Sequence, residues 1–197
     1  NSTYIDKNVK IGRDTIIYPN CHIKGNSVIG EDCIIRENTT IEDSHIEDHV
    51  TIKSSTILSS KVGARTTIGP YAYLRPKSVL GEDVKIGDFV EVKNAEIGNG
   101  SKASHLSYIG DAVVGKNVNI GCGVVFVNYD GKNKFKSIVE DNAFIGSNSN
   151  LVAPVTVKEG GYIATGSTVT VDVPEGALCV ARAREVIKEG WRTKKGL

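Results

Sequence analysis

The sequence contains no methionine, only four cysteines and few aromatic residues among its 197 amino acids. The cysteines form no Cys-x-x-Cys pair, so their spacing indicates neither a zinc site nor a disulfide framework, and we expect a reducing compartment, the cytoplasm. No apolar run approaches the ~20 residues that cross a bilayer, and no signal-peptide pattern opens the chain. The formal net charge of +1 predicts no general surface for nucleic acid or for an anionic membrane.

The missing methionine also bears on the extent of the chain. Without it there is no initiator residue, and the sequence opens inside a repeat pattern. We therefore expect a piece of a longer protein. The 21 glycines, together with many valines and isoleucines, predict short strands joined by tight turns.

Aliphatic residues recur every six positions along most of the chain. The clearest run is Ile11, Ile17, Ile23, Ile29, Ile35 and Ile41. A period of six matches neither the 3.6 of a helix nor the 2 of a strand. It predicts a prism in which each six residues form one flat face and one corner, with the aliphatic side chain pointing inward. Three faces close a coil of ~18 residues, so we expect roughly eight stacked coils between Ile11 and Val169.

Two segments interrupt the repeat. Residues 127–136, VNYDGKNKFK, are polar and contain a turn signal, which predicts a protruding loop on a rigid base. The repeat ends after Val173, and residues 182–189 are predicted to form a short helix that caps the open end or reaches a neighbouring chain, with Trp191 as an anchor. We therefore divide the chain into a β-helix domain, 1–173, and a carboxyl-terminal arm, 174–197.

His105, in the stretch NGSKASHLSYIGDAVVG, is the first candidate for chemistry. A lone histidine is more often solvated or structural than catalytic. Residues about 18 apart should stack on one face, which predicts that Arg75 and Lys93 form an anion site; a solvated charged face is the alternative. There is no P-loop pattern, and no zinc site is expected because the other histidines lie far from His105 along the prism.

Five motifs occur in order along the second half of the chain: FVEVKN, SHLSYIGDA, NVNIG, NYDGKNK and EGW. This set resembles the acetyltransferase (carboxyl-terminal) domain of the bacterial bifunctional N-acetylglucosamine-1-phosphate uridyltransferase/glucosamine-1-phosphate N-acetyltransferase. The resemblance covers essentially the whole chain and implies an all-β, left-handed parallel β-helix. Spacing alone does not give that hand, because parallel crossovers are otherwise right-handed in ~98% of cases. From the resemblance we also expect this sequence to lack the family's amino-terminal uridyltransferase domain, with its Mg²⁺ site.

The resemblance also implies a reaction. The acetyl group of acetyl-CoA passes to the amine of glucosamine 1-phosphate in UDP-N-acetylglucosamine biosynthesis, for peptidoglycan and lipopolysaccharide. His105 is implied as the general base, because an imidazole with a pKa near ~6.5 is partly free base at neutral pH. The implied sugar-phosphate residues are Arg75, Lys93, Tyr108, Asn119 and Lys134. The implied acetyl-CoA residues are Cys122, Asn128, Tyr129, Ser147, Thr165 and Arg182.

Two further expectations come from the same resemblance. Family members are trimers that bind acetyl-CoA between adjacent prisms, and this domain requires no metal. Cys122 and Thr165 stand where the family commonly has alanine, and because both are small we expect CoA binding to survive.

Two other functions stay open at this point. The chain is either another hexapeptide acyltransferase, acting on an amino acid, a lipid A precursor or a nucleotide sugar, or a non-enzymatic β-helix that serves as a trimerisation module. The pairing of Arg75 and Lys93 favours a phosphorylated acceptor, whereas a non-enzymatic module predicts that His105 is dispensable.

Overall fold

The computed structural model describes residues 2–196, and its strands form three parallel sheets. From Tyr4 to Val169 each strand is followed by a strand of the next sheet, so that three successive strands complete one coil. Each strand pairs with the strands one coil before and after it; Tyr4 and Ile5, for example, are aligned with His22 and Ile23. This arrangement confirms the prediction of an all-β parallel helix built from hexapeptide repeats.

The three sheets are named here in the order in which the chain enters them. The first sheet contains Tyr4–Ile5, His22–Lys24, Thr40–Glu42, Thr56–Leu58, Tyr73–Leu74, Glu91–Lys93, Tyr108–Gly110, Val125–Val127, Asn150–Val152 and Thr168–Val169. The second sheet contains Lys10–Ile11, Val28–Ile29, His45–Ile46, Lys61–Val62, Val79–Leu80, Glu96–Ile97, Ala112–Val114, Ser137–Val139 and Val155–Val157. The third sheet contains Ile16–Ile17, Ile34–Ile35, Thr51–Ile52, Thr67–Ile68, Lys85–Asp88, Lys102–His105, Asn119–Ile120, Phe144–Ile145, Tyr162–Ile163 and Leu178–Cys179.

The core is a stack of the aliphatic residues that carry the six-residue repeat. From Ile23 to Val169 these residues are buried, and Phe126 is the largest side chain with no exposed surface. Most of the small residues four positions after them are buried too, and several of their hydroxyls bond to corner carbonyls. Ser78 Oγ donates to the Arg75 carbonyl at 2.6 Å, and Ser101 Oγ donates to the Gly115 carbonyl at 2.7 Å. These bonds satisfy polar groups that the stacking removes from water.

The coils differ in length. Leu74 is aligned with Val92, a step of 18 residues, whereas Glu91 is aligned with Tyr108 and Thr40 with Thr56, steps of 17 and 16. The sheets hold ten, nine and ten strands, which is more than the roughly eight coils expected. The excess arises because the strands begin at Tyr4 and continue to Cys179, whereas the prediction covered only Ile11 to Val169.

The arm differs from the sequence prediction. Leu178–Cys179 pairs with Tyr162–Ile163 and so extends the third sheet past Val173. The helix predicted at 182–189 is wrong: that segment is irregular, and the helix is Trp191–Lys194. Val186 and Ile187 are each 82% exposed. A short helix without a buried face does not repay its nucleation cost, which explains the irregular backbone.

The structure contains a loop in this region, which begins one residue later than the predicted 127–136 because Val127 ends a strand. The chain leaves the first sheet after Val127, forms an antiparallel bridge between Tyr129 and Lys134, and re-enters the prism at Ser137. The Asp130 carboxylate accepts hydrogen bonds from the N–H groups of Lys132 and Asn133, which closes the tip. Among residues 2–196, no helix has the length and apolar character needed to span a membrane.

Candidate active site

His105 ends the strand Lys102–His105, and its imidazole is held by an aspartate from the coil below. Asp88 is aligned with His105 across the third sheet, and Nδ1 of the imidazole lies 2.6 Å from Asp88 Oδ1. This hydrogen bond holds the pKa of Asp88 below its usual value, so the carboxylate is ionised at neutral pH and Nδ1 is the donor. The His105 side chain is 60% exposed, so a group from outside the chain can reach the ring.

Three of the predicted acetyl-CoA residues lie in line with His105. Ala103, Ile120, Ile145 and Ile163 are aligned across the third sheet, and His105, Cys122, Ser147 and Thr165 each follow one of them by two residues. We call these last four residues the third-sheet column. Three of its members have small side chains. Arg182 lies at the far end, where its Cδ approaches the backbone of Gly166.

Asn119 lies on the same sheet. It is aligned with Lys102 and Phe144, and its side chain is exposed. It therefore neighbours the third-sheet column rather than the predicted phosphate ligands Arg75 and Lys93, which lie on the first sheet.

The predicted phosphate ligands line an open pocket of about 430 Å³, which we call the cation pocket. Arg75 and Lys93 each follow aligned residues of the first sheet, so they stack as their 18-residue spacing predicts. Lys134 reaches the pocket from the loop. Arg75 Nη1 donates to Glu91 Oε1 at 2.9 Å, and this bond raises the pKa of the guanidinium, which stays charged at every physiological pH.

Asp111 is the acidic member of the cation pocket, and it is nearly buried. The amides of Asn94 and Asn128 donate to its two oxygens. Burial opposes ionisation of this carboxyl, but the two amides and the charges of Lys93 and Lys134 outweigh burial and hold the pKa of Asp111 below its usual value. Asp111 is therefore an anion inside a site made mainly of cations.

The two lysines of the pocket act on each other. The proximity of the Lys93 ammonium lowers the pKa of Lys134, and burial adds to the effect, while the Asp111 carboxylate opposes it. Two ammonium groups held this close repel each other, and a bound anion would remove the repulsion. The pocket therefore has the electrostatics of a phosphate site.

Tyr108 and Asn128 adjoin this pocket, and Tyr129 lies outside it. Asn128 Nδ2 lies 3.4 Å from Tyr108 Oη, and the Tyr108 ring lies across the backbone of Gly110, where a β-carbon would overlap it. Tyr129 is exposed on the loop and donates from Oη to the Gly131 carbonyl at 2.6 Å. Asn128 therefore lies with the predicted sugar-phosphate residues and not with the third-sheet column.

Within one chain, the cation pocket and His105 do not converge. His105 lies at the end of a third-sheet strand, whereas Lys93 lies at the far end of a first-sheet strand. The strand Tyr108–Gly110 separates the two corners, and a strand of this length spans about 10 Å. The 18-residue spacing implied that the cation pocket and His105 converge on one site. In a single chain they instead form two half-sites on adjoining faces of the prism.

Sequence reasoning missed Asp88, Asn94 and Asp111. Asp88 lies 17 residues before His105, and Asn94, Asp111 and Asn128 are spaced by 17 residues each. A search for polar residues at 17 as well as 18 positions would have found both sets. Among residues 2–196, no three histidine, cysteine, aspartate or glutamate side chains are grouped as a metal ion would require.

A three-sided prism of six-residue repeats defines a hexapeptide-repeat protein with a parallel β-helix. The family model that matches residues 1–92 is described as the EIF2B subunit epsilon LbH domain, the left-handed β-helix type. The structure is similar to that of Arabidopsis UDP-N-acetylglucosamine acyltransferase, with a TM-score of 0.66 and 17% identity over 90% of this chain and 69% of that chain. At this identity the likeness shows the fold alone.

The sequence itself is similar to the bifunctional protein GlmU. It is 73% identical to the GlmU of Clostridioides difficile over 99% of the chain, and 70% identical to that of Alkaliphilus oremlandii over 98%. The chain spans 42% and 43% of the length of these relatives.

Proposed function

We propose that this chain is a glucosamine-1-phosphate N-acetyltransferase that uses acetyl-CoA. The observation that carries the proposal is the pairing of two half-sites: a pocket lined by four cations, including Lys77, and an exposed histidine that heads a column of small residues. The first suits a sugar phosphate and the second suits an acyl carrier. The high identity to GlmU proteins, together with the motifs of the acetyltransferase domain, supports this pair of substrates.

In this proposal the sugar phosphate binds in the cation pocket. Arg75, Lys93 and Lys134 neutralise the phosphate, and Arg75 offers a planar pair of donors that a phosphate accepts well. Tyr108, with its hydroxyl beside Asn128, orients the sugar at the edge of the pocket. Asn119 would contribute from the third sheet, together with His105.

Acetyl-CoA would lie along the third-sheet column. The small side chains of Cys122, Ser147 and Thr165 leave the strand edges open to a long, narrow group, and Arg182 supplies a cation at the far end for the nucleotide phosphates. Tyr129 would approach the acetyl end from the loop, whereas Asn128 stays with the sugar-phosphate residues. When bound, acetyl-CoA supplies an acetyl thioester, whose carbonyl carbon accepts the amine.

His105 would act as general base through Nε2. The neutral amine of the sugar attacks the thioester carbon, a C–N bond forms and the C–S bond breaks. Nε2 takes the proton that the nitrogen gives up, and the resulting imidazolium returns it to the departing sulfur, so that the ring ends the cycle neutral. No covalent acyl-enzyme is needed, because an amine is itself nucleophilic.

The two half-sites lead us to propose a homotrimer in which the third-sheet column of one subunit faces the cation pocket of the next. An apolar ladder at the corner beside His105 supports this arrangement. Phe89 and Leu106 are 57% and 59% exposed there, and Tyr71 stacks on Phe89 with ring centroids 5.6 Å apart. Large exposed apolar side chains grouped in this way are typical of protein contacts.

The cytoplasm is the compartment we propose for this reaction. All four cysteines are free thiols in the structure, and Cys122 is exposed. Thiols in this state persist where the surroundings are reducing.

Release of CoA thiol in the presence of acetyl-CoA and glucosamine 1-phosphate tests the activity. We expect release by the wild-type chain and a loss of about 10²-fold or more in kcat for His105→Ala. Lys93→Ala should raise KM for the sugar phosphate and leave KM for acetyl-CoA nearly unchanged. Release with another amine but not with glucosamine 1-phosphate would mean a different acyltransferase, and a mutant as fast as wild type would remove His105 from the mechanism.

Subunit mixing tests the trimer. At a sugar-phosphate concentration well below the raised KM of Lys93→Ala, an equal mixture of His105→Ala and Lys93→Ala chains, unfolded and refolded together, should be more active than either variant alone. Random assembly joins an intact His105 to an intact Lys93 of the next subunit at about a quarter of the sites. A mass of one chain in sedimentation, or a mixture no more active than its components, contradicts the proposed arrangement.

A further inference from the structure

The contact between His105 and Asp88 is built into the backbone of the third sheet. The two residues are aligned on adjacent strands, Lys85–Asp88 and Lys102–His105, which are among the longest strands of the prism. Gly87 permits the close approach of these strands, because a β-carbon at that position would overlap the Ser104 carbonyl oxygen. The pairing is therefore fixed by strand register and not by a chance side-chain rotamer.

We propose that Asp88 is a positioning residue that acts on the reaction through His105. Its carboxylate accepts the Nδ1–H of the imidazole at 2.6 Å and so leaves Nε2 as the unprotonated nitrogen. The inference rests on the proposed role of His105 as general base. Within residues 2–196, Nε2 has no hydrogen-bond partner, and the exposed side of the ring is the side that can meet an amine.

The chemistry of the pair explains why a carboxylate is needed. A neutral imidazole carries one proton, on either Nδ1 or Nε2, and only the nitrogen without the proton can act as a base. A carboxylate at Nδ1 selects the Nδ1–H tautomer and stabilises the imidazolium formed when Nε2 takes a proton. An amide in its place can instead donate to Nδ1, which selects the other tautomer and blocks Nε2.

A second histidine–aspartate pair provides a comparison within the same chain. His49 follows Asp32 by the same 17 residues, but His49 Nδ1 lies 3.8 Å from Asp32 Oδ2, too far for a hydrogen bond. Both residues occupy corners with positive φ and not aligned strand positions. Asp32→Asn is therefore a matched control: it makes the same chemical change at the same spacing, without the bond.

The experiment combines kinetics with nitrogen NMR of the imidazole on the full chain. Asp88→Asn should lower kcat about 10- to 100-fold while both KM values change less than about twofold, because substrate contacts are kept. Asp88→Glu, which keeps a carboxylate, should recover part of the loss. In ¹⁵N spectra at a pH where the ring is neutral, wild-type His105 should be protonated on Nδ1, and Asp88→Asn should shift the population toward Nε2–H. Asp32→Asn should change neither kcat nor the spectrum of His105.

The outcomes separate this inference from the proposed function. A wild-type chain without activity, or a fully active His105→Ala variant, overturns the proposed function and with it any catalytic role for Asp88. If wild type is active and His105→Ala is not, an Asp88→Asn variant with unchanged kcat overturns the positioning role alone. A wild-type His105 protonated on Nε2 also overturns it.

Discussion

The ammonium of Lys93 lies 3.7 Å from the Asp111 carboxylate, and the two side chains are only 19% and 12% exposed. Asp111 also accepts from Asn94 and Asn128, so one carboxylate joins residues of three successive coils. Its negative charge offsets part of the repulsion between Lys93 and Lys134 while the pocket holds no phosphate. Asp111 therefore stabilises the two neighbouring lysines when no phosphate is bound between them.

Replacing Asp111 with alanine should destabilise the fold. The change leaves the amides of Asn94 and Asn128 without their acceptor and removes the counter-charge of the lysines. We expect the free energy of unfolding to fall by about 2–3 kcal/mol, measured by urea denaturation. Asp83, whose ion pair with Arg65 is exposed, is the control, and Asp83→Ala should have a much smaller effect. Equal effects of the two substitutions would contradict the structural role of Asp111.

The same carboxylate predicts a pH dependence of stability. The pKa of Asp111 is lower in the folded chain than in an unfolded one, where it is about 3.9. The stabilisation is therefore fully present above the unfolded pKa and is lost as the pH falls toward the folded value. The difference in unfolding free energy between wild type and Asp111→Asn should be constant near neutral pH and shrink below about pH 4. A difference that grows on acidification would be inconsistent with the lowered pKa.

The effect of the Lys93 ammonium on the pKa of Lys134 can be measured directly. Lys93→Gln removes the neighbouring ammonium that lowers the pKa of Lys134, so the pKa of Lys134 should rise. Inorganic phosphate should raise it in the wild-type chain, because the anion stabilises both ammonium groups. Titration of ¹³C-methylated lysines reports both changes. Lys188→Gln, in the exposed arm, is the control and should leave Lys134 unaffected.

Gly87→Ala should separate the strands that carry the histidine and its aspartate. The added carbon meets the backbone carbonyl of Ser104, which cannot rotate away as a side chain would. We expect a loss of stability of about 1–3 kcal/mol by thermal or urea unfolding, together with a fall in kcat. Ser104→Ala keeps that carbonyl in place and should be nearly neutral in both measurements. A Gly87→Ala chain as stable as wild type would mean that the strands can move apart without cost.

The fold was predictable because the six-residue period reports burial directly. Ile23, Leu74 and Ile145 recur at inward positions, and the structure buries each of them completely. The prediction of a helix at 182–189 was wrong because it used only the local sequence pattern. A short helix also needs a surface against which it can bury its apolar face. The arm contains apolar residues such as Val186 and Ile187, and both are exposed in the part of the chain that the structure describes.

The candidate site was predictable only where coils keep their full length. Arg75 and Lys93 were paired correctly because 18 residues separate them and their strands are aligned. Asp88 and Asp111 escaped notice because the coils at these points are 17 residues long, and a fixed period cannot show where a corner is shortened. The division of the site between two faces was equally hidden, since spacing gives stacking order but not distance around the prism.

The direction of the backbone hydrogen bonds makes the mechanical resistance of the prism depend on the direction of the applied force. Each coil bonds only to the coils above and below it, so these bonds run along the long axis of the molecule. Tension applied along that axis from the end at Tyr4 should therefore break the hydrogen bonds of one coil at a time. Shear across the axis instead strains many bonds together. We therefore expect such a molecule to unwind in small steps when pulled end to end, and to resist best when it is sheared across that axis.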